Sequence, residues 1–191
     1  MKIAIVYDMI YPFHIGGAEY RNFRVAKLLA KSGHDIHLVG VKLWDGPDTI
    51  RRNGITLHGI CRYKDLYGFG GNRSIIEIYK FARACYSFFK KNEFDVIDSA
   101  SFCFLHNFAL KAVLPKKTKY IMTWHQYFGS YWFSYTNPII AACAYILENL
   151  NLKLTSTHTC VSTTTQKQLK KKGVLAKHIP NGIEVQEIKK Y

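Results

Sequence analysis

The sequence predicts an α/β fold: a doubly wound, mainly parallel Rossmann-like sheet with helices on both faces. Three observations carry this. Short apolar runs alternate with helix-periodic segments along almost the whole chain, as strands and crossover helices do. The runs are apolar throughout rather than alternating, which suits strands buried on both faces. The first of them runs through a loop into Gly16-Gly17 and a helix, then into a second apolar run, which is the opening unit of such a sheet.

Taken in order, strands are predicted at residues 3–7, 35–41, 55–60, 94–98, 119–124, 159–162 and 178–179. Helices are predicted at 18–32, 74–91, 102–113, 138–152 and 164–172. Phe23, Ala26, Leu29 and Ala30 share one face of the first helix, and Gly33 stops it. In the second, Ile75, Ile78, Tyr79, Ala82 and Cys85 do the same. Crossovers of one hand place the loops after each strand along one edge of the sheet, where ligands bind in such folds. Two loops stand out there. Residues 62–73 mix glycine, aromatic and basic side chains, and residues 124–135 hold seven aromatics in twelve positions. Residues 1–182 form one expected domain, and 183–191 read as the start of a linker.

Composition narrows the partners. The chain has 191 residues and carries 27 Lys and Arg against 13 Asp and Glu, a formal charge of +14. That balance points to an anionic partner, while solvated lysines are the plainer account. No nucleic-acid-binding motif is visible. The five cysteines are widely spaced, with no Cys-x-x-Cys pair and no zinc spacing, and most fall in apolar segments. Buried thiols in a reducing compartment are the expectation, hence a cytoplasmic protein. The run at 138–147 is too short to span a bilayer, so any membrane contact is expected to be peripheral, on the inner face.

The residues that carry chemistry lie at the predicted ligand edge. Gly16 and Gly17 open a helix, where unpaired N–H groups and the helix dipole favour an anion and no β-carbon blocks its approach. The alternative is a tight loop entry alone. A dinucleotide fingerprint is absent, because Gly-x-Gly-x-x-Gly does not occur there. Glu19 sits in the first helical turn, where a carboxylate is favourable by roughly 0.3–1 kcal/mol in its own right. His125 follows a strand and precedes the aromatic loop, and an imidazole there can donate to a hydroxyl or take a proton. His14 is a second candidate, and His106 a capping or packing residue. Arg62, Lys64 and Arg73 on the glycine-rich loop can reach a phosphate. Tyr127 belongs to the aromatic loop, whose rings suit packing, a sugar face or head-group depth.

Taken jointly, these motifs resemble glycosyltransferase family 4. The matching pieces are IAIVYD (3–8), GGAE (16–19), AKLLAKSGHDIHLVG (26–40), FDVIDS (94–99), TWHQYFG (123–129), CVSTTTQKQL (160–169) and IPNGI (179–183), in that order. The resemblance implies the N-terminal, acceptor-side half of a GT-B fold, with the donor-binding C-terminal domain beyond the linker. It implies transfer of a sugar, with retention, from a UDP- or GDP-linked donor to a hydroxyl acceptor, such as a lipid-linked one, without a metal or other cofactor. It places Gly16 and Gly17 on the donor diphosphate and His125 at the sugar or acceptor. Glu19, His14, Arg62, Lys64, Arg73 and Tyr127 are the acceptor-side candidates. This half alone is expected to be inactive. A non-enzymatic module of the same fold, binding a phosphorylated ligand or partner, is the alternative.

Overall fold

The computed structural model describes residues 1–64 and 74–182. Its strands are β1 (Lys2–Val6), β2 (Asp35–Val41), β3 (Thr49–Arg52), β4 (Ile55–Cys61), β5 (Val96–Ala100), β6 (Lys119–Trp124), β7 (Thr157–Cys160) and β8 (Ala176–His178). Its helices are α1 (Gly17–Lys31), α2 (Ile75–Phe89), α3 (Leu105–Val113), the short α4 (Trp132–Tyr135), α5 (Pro138–Asn151) and α6 (Thr163–Lys171). The eight strands form one sheet in the order β3-β4-β2-β1-β5-β6-β7-β8. Every pairing is parallel except β3 with β4. The doubly wound expectation therefore holds, and the order reverses between β1 and β5.

Alternation along β1 explains the two-sided core. Ile3 and Ile5 pack with Phe23 and Ala26 of α1, Ile36 and Leu38 of β2, and Ile55 and Leu57 of β4. Ala4 and Val6 face the other way, toward Phe81, Cys85 and Phe89 of α2, Leu110 of α3 and Leu169 of α6. Each such large side chain taken from water contributes about 1.5–3 kcal/mol. Local signals fix the helix ends. Gly33, at φ 83°, closes α1, and the N–H of His34 reaches back to Leu29 O at 3.2 Å. Asn137 accepts from Ile140 N at the start of α5, with Pro138 in its first turn. Ser162 accepts from Thr165 N at the start of α6.

Three features depart from the sequence reading. β3 is an added antiparallel edge strand, joined to β4 by Asn53 and Gly54, both at positive φ. The aromatic loop is not a loop throughout, since a 3-10 turn at Gly129–Tyr131 and α4 lie within it. β5 and β7 are also displaced by two residues from the predicted runs, because pairing with β6 over Val96–Ala100 and Thr157–Cys160 sets their register.

Candidate functional site

In a doubly wound sheet the crevice opens outside the strand C-termini where the order reverses. Here that is between β1 and β5. Tyr7 and Asp8 leave β1, residues 101–104 leave β5, and His125 leaves β6. The pieces are tied together by backbone. Val41 N donates to Asp8 O at 2.7 Å, and Ser101 N donates to Thr123 O at 2.9 Å. The β1–α1 loop crosses β2 at Gly40, where a β-carbon would lie 2.5 Å from Tyr7 O and 3.0 Å from Asp8 O. Glycine is the residue that permits this crossing. Cys103 Sγ donates to Asp8 Oδ2 at 3.6 Å, linking the two loops that flank the switch point.

His125 sits at this crevice with its ring 6.2 Å from Tyr7. Its Nε2 is buried without a hydrogen-bond partner among the described residues. Burial pushes the imidazole down to about 4, and the positive charge of Arg21 on α1 adds to the effect. The ring is therefore neutral near pH 7, with one donor and one acceptor nitrogen. Asp98 is the middle residue of β5 and accepts from Thr123 Oγ1 at 2.5 Å. Thr123 in turn bonds Thr159 Oγ1 at 2.7 Å, carrying the polar row across three strands. Burial raises the Asp98 carboxyl, while the Thr123 bond and the Arg21 charge hold it down. Arg21 thus acts electrostatically on both His125 and Asp98. The sequence reading missed both Arg21 and Asp98. Asp98 stood in the quoted FDVIDS segment, but Arg21 is an ordinary charged residue on a helical pattern with no local signal.

At the start of α1, Gly16 is the N-cap, in extended backbone at φ −159° and ψ 168°. The Glu19 carboxylate folds back against it, and a β-carbon at Gly16 would overlap Glu19 Oε2. His14 Nδ1 donates to Glu19 Oε1 at 2.9 Å. Glu19 is buried, at 5 % exposure. The helix start therefore already has a carboxylate beside it, supplied by the chain itself. Gly17 differs: nothing lies within 4 Å of where its β-carbon would stand, so its main chain faces open space.

The structure separates the other candidates. Tyr127 goes into the core, at 4 % exposure, packed on Trp124 and donating to Asn149 Oδ1 at 3.0 Å. An apolar ring beside a core strand end, with an internal acceptor for its hydroxyl, is better satisfied there than at the cleft. Arg62 is exposed and donates to Trp44 O at 3.2 Å, at the turn after β2. Lys64 is exposed. Arg73 lies outside the described residues, as does the predicted linker at 183–191. His106 is structural: its Nε2 lies 3.1 Å from Ala100 O and 3.0 Å from Ser99 Oγ, fully buried beneath the β5–α3 turn. Among the described residues, no group of three or more His, Cys, Asp or Glu side chains is placed to hold a metal ion. A groove of about 580 Å³ between β4 and α2, lined by His58, Arg83 and Lys91 among others, includes none of the residues just placed at the crevice.

Comparison with known proteins bears on this arrangement. The family model for Glycosyltransferase Family 4 matches residues 15–187. No curated protein matches the sequence. Among solved structures, the chain is similar to sucrose-phosphate synthase from Thermosynechococcus elongatus, with a TM-score of 0.71 and 14% identity. That match covers 97% of this chain and 49% of the other, so the chain spans about half that enzyme's length. A second structure of that enzyme, of a shorter piece, matches with a TM-score of 0.60 and 15% identity, covering 98% of this chain and 93% of the other. A Streptomyces sp. SF2575 glycosyltransferase, SsfS6, complexed with thymidine diphosphate, matches with a TM-score of 0.44 and 11% identity over 94% of this chain and 47% of that one. The sheet order, the crevice at its reversal and the family match over nearly the whole length agree. The chain has the Rossmann-like fold of one GT-B domain and belongs to glycosyltransferase family 4.

Proposed function

We propose that this domain forms the acceptor-side wall of a cleft in which a sugar passes, with retention, from a nucleotide-sugar to a hydroxyl acceptor. The observation that carries the reading is His125: a neutral imidazole at the crevice, with a buried nitrogen that has no partner among the described residues. A buried polar atom without a partner is costly, and a ligand hydroxyl in the crevice would satisfy it. Being neutral, the ring can donate to or accept from a sugar hydroxyl without placing a charge beside a forming oxocarbenium-like centre.

The remaining residues act by position and charge. Arg21 supplies a positive charge that acts on both His125 and Asp98, and in this reading it favours an anionic leaving group. The open main chain of Gly17 receives the diphosphate. Glu19, held by His14, meets acceptor hydroxyls from the neighbouring side of the same helix start. A diphosphate and the Glu19 carboxylate repel one another, so the donor approaches Gly17 rather than Gly16. UDP- and GDP-sugars are the donors proposed, with no metal. The other wall of the cleft, with most of the nucleotide contacts, belongs to a second domain, and this chain alone is inactive. The free cysteines, most of them buried or half-buried, support a reducing, cytoplasmic setting for the reaction.

The test is transfer of radiolabelled sugar by a two-domain protein carrying this domain, compared with the 191-residue chain alone. The proposal expects turnover from the first and none from the second. Turnover by the 191-residue chain would overturn the division of labour, and its absence from the two-domain protein across UDP- and GDP-sugars would overturn the activity.

A further inference from the structure

The outer face of α5 has a composition that water does not explain. Ile139, Cys143, Ile146 and Leu150 recur at helical spacing and are exposed, with Ile139 at 79 % and Ile146 at 56 %. They form an apolar stripe about 16 Å long. The sole charged residue of α5 is Glu148, and it is buried. A surface helix of a soluble domain ordinarily puts its charges outward. Beside the stripe, Tyr131, Phe133 and Tyr135 also expose more than half their surface.

This platform is preformed. Phe128 stacks on Trp132 at 4.4 Å. Glu148 accepts from Phe128 N, Gly129 N and Trp132 Nε1 at 2.8–3.1 Å, pinning the aromatic turn to α5. Phe133 lies 6.0 Å from Tyr145, and Lys172 Nζ lies 5.4 Å from the Tyr145 ring and 3.3 Å from its hydroxyl. The aromatic rim and the lysine therefore meet at Tyr145, on the flank of the helix that carries the stripe. Lys153, which follows α5, and Lys170 and Lys171, which precede Lys172 in the chain, are exposed. From Ser99 to Gly182 the chain carries ten lysines and one acidic residue, the buried Glu148.

We infer that the α4–α5 face is a peripheral docking surface for an anionic lipid bilayer. Apolar side chains of the stripe enter the acyl boundary, tyrosines sit at head-group depth, and the lysines meet anionic head groups. No helix among the described residues is long and apolar enough to cross a membrane, so the contact is interfacial. The absence of any exposed acid in this half matches a continuous anionic plane. A second copy of the chain would bring a surface of the same positive sign. The inference stands apart from the sugar-transfer reading, since it uses none of the crevice residues.

The experiment is co-sedimentation of the 191-residue chain with phosphatidylcholine vesicles, with and without about 30 % phosphatidylglycerol. Binding is expected only with the anionic lipid. The triple variant Phe133→Ser, Ile139→Ser, Ile146→Ser should weaken it about tenfold or more, with unchanged circular dichroism. Lys170→Gln with Lys171→Gln should weaken it at low salt and have less effect at about 0.5 M salt. In the Ile139→Trp variant, tryptophan emission should shift to the blue on adding anionic vesicles. Equal binding by wild type and the triple variant would overturn the inference. So would a wild-type dimer in sedimentation velocity that the triple variant dissociates while neither binds vesicles.

Discussion

His14 and Glu19 meet across the glycine pair that separates them, Nδ1 to Oε1 at 2.9 Å, with the carboxylate resting on Gly16. A β-carbon at Gly16 would meet Glu19 Oε2, the far end of a flexible side chain, so a substitution there displaces the carboxylate from its bond to His14. Gly16→Ala should therefore destabilise the domain by about 1 kcal/mol, the worth of one such hydrogen bond. Denaturant unfolding would measure it. Adding Glu19→Ala removes the overlap, so the double variant should be less destabilised than the two single losses added together. Strict additivity would show that the two residues do not interact.

Arg21 and His125 make a second coupled pair, through charge. Titration of His125 by NMR should give a midpoint near 4 instead of the usual 6.5. Arg21→Gln removes a positive charge that opposes protonation, so the midpoint should rise. Burial is the larger cause, so it should stay below 6.5. A midpoint unaffected by the substitution would separate Arg21 from the crevice.

Three histidines give the fold a pH dependence of definite sign. His58, His106 and His125 are each pushed down from 6.5 to about 4, chiefly by burial. Between these values the unfolded chain binds more protons than the folded one, so stability falls as pH drops through that window. Each full unit of such a shift is worth about 1.4 kcal/mol for the deeply buried His106 and His125, and less for the half-buried His58, where solvent screens the charge. The Asp98 and Glu148 carboxyls, raised by burial, act in the opposite sense near the carboxylate range. The clean interval is therefore about pH 6.5 to 5. Urea midpoints should decline steadily across it, and a flat profile would contradict the burial of these rings.

Asn107 should be among the costliest single residues to replace outside the crevice. Its side-chain oxygen accepts from Ser99 Oγ at 2.7 Å and Tyr120 Oη at 2.8 Å. Its nitrogen faces Ala100 O, Ser101 O and Asn151 Oδ1 at 2.9–3.1 Å. It thereby joins β5, α3, β6 and α5 beneath the crevice. Asn107→Leu leaves several buried groups unpaired and should cost about 3 kcal/mol or more in thermal or chemical unfolding. A loss under about 1 kcal/mol would mean that the network relaxes around the gap.

How much of this could be read from residues alone differs by element. β1, β2 and β6 were legible because buried parallel strands leave continuous apolar runs. β3 was not, since Thr49–Arg52 is a polar, mostly exposed edge whose partner sets it. The Asn53-Gly54 dipeptide was the available signal for that hairpin. His125 was found because a strand end marks it. Arg21 was not, because its importance arises from α1 lying over the strand ends, a tertiary fact. Tyr127 looked like its aromatic neighbours in sequence, and only the packing on Trp124 distinguishes it. Glu19 was seen as a helix-start carboxylate, but its position over Gly16 follows from the fold of the loop before α1.

The central claim is that His125 serves sugar transfer from its place at the crevice. The most direct measurement is kcat for transfer from a nucleotide-sugar by a two-domain protein carrying this domain, for wild type and His125→Ala. General acid–base or hydroxyl-orienting roles predict a loss of about 100-fold or more, with the fold and its Tm preserved. Wild-type turnover in the His125→Ala protein would contradict the account.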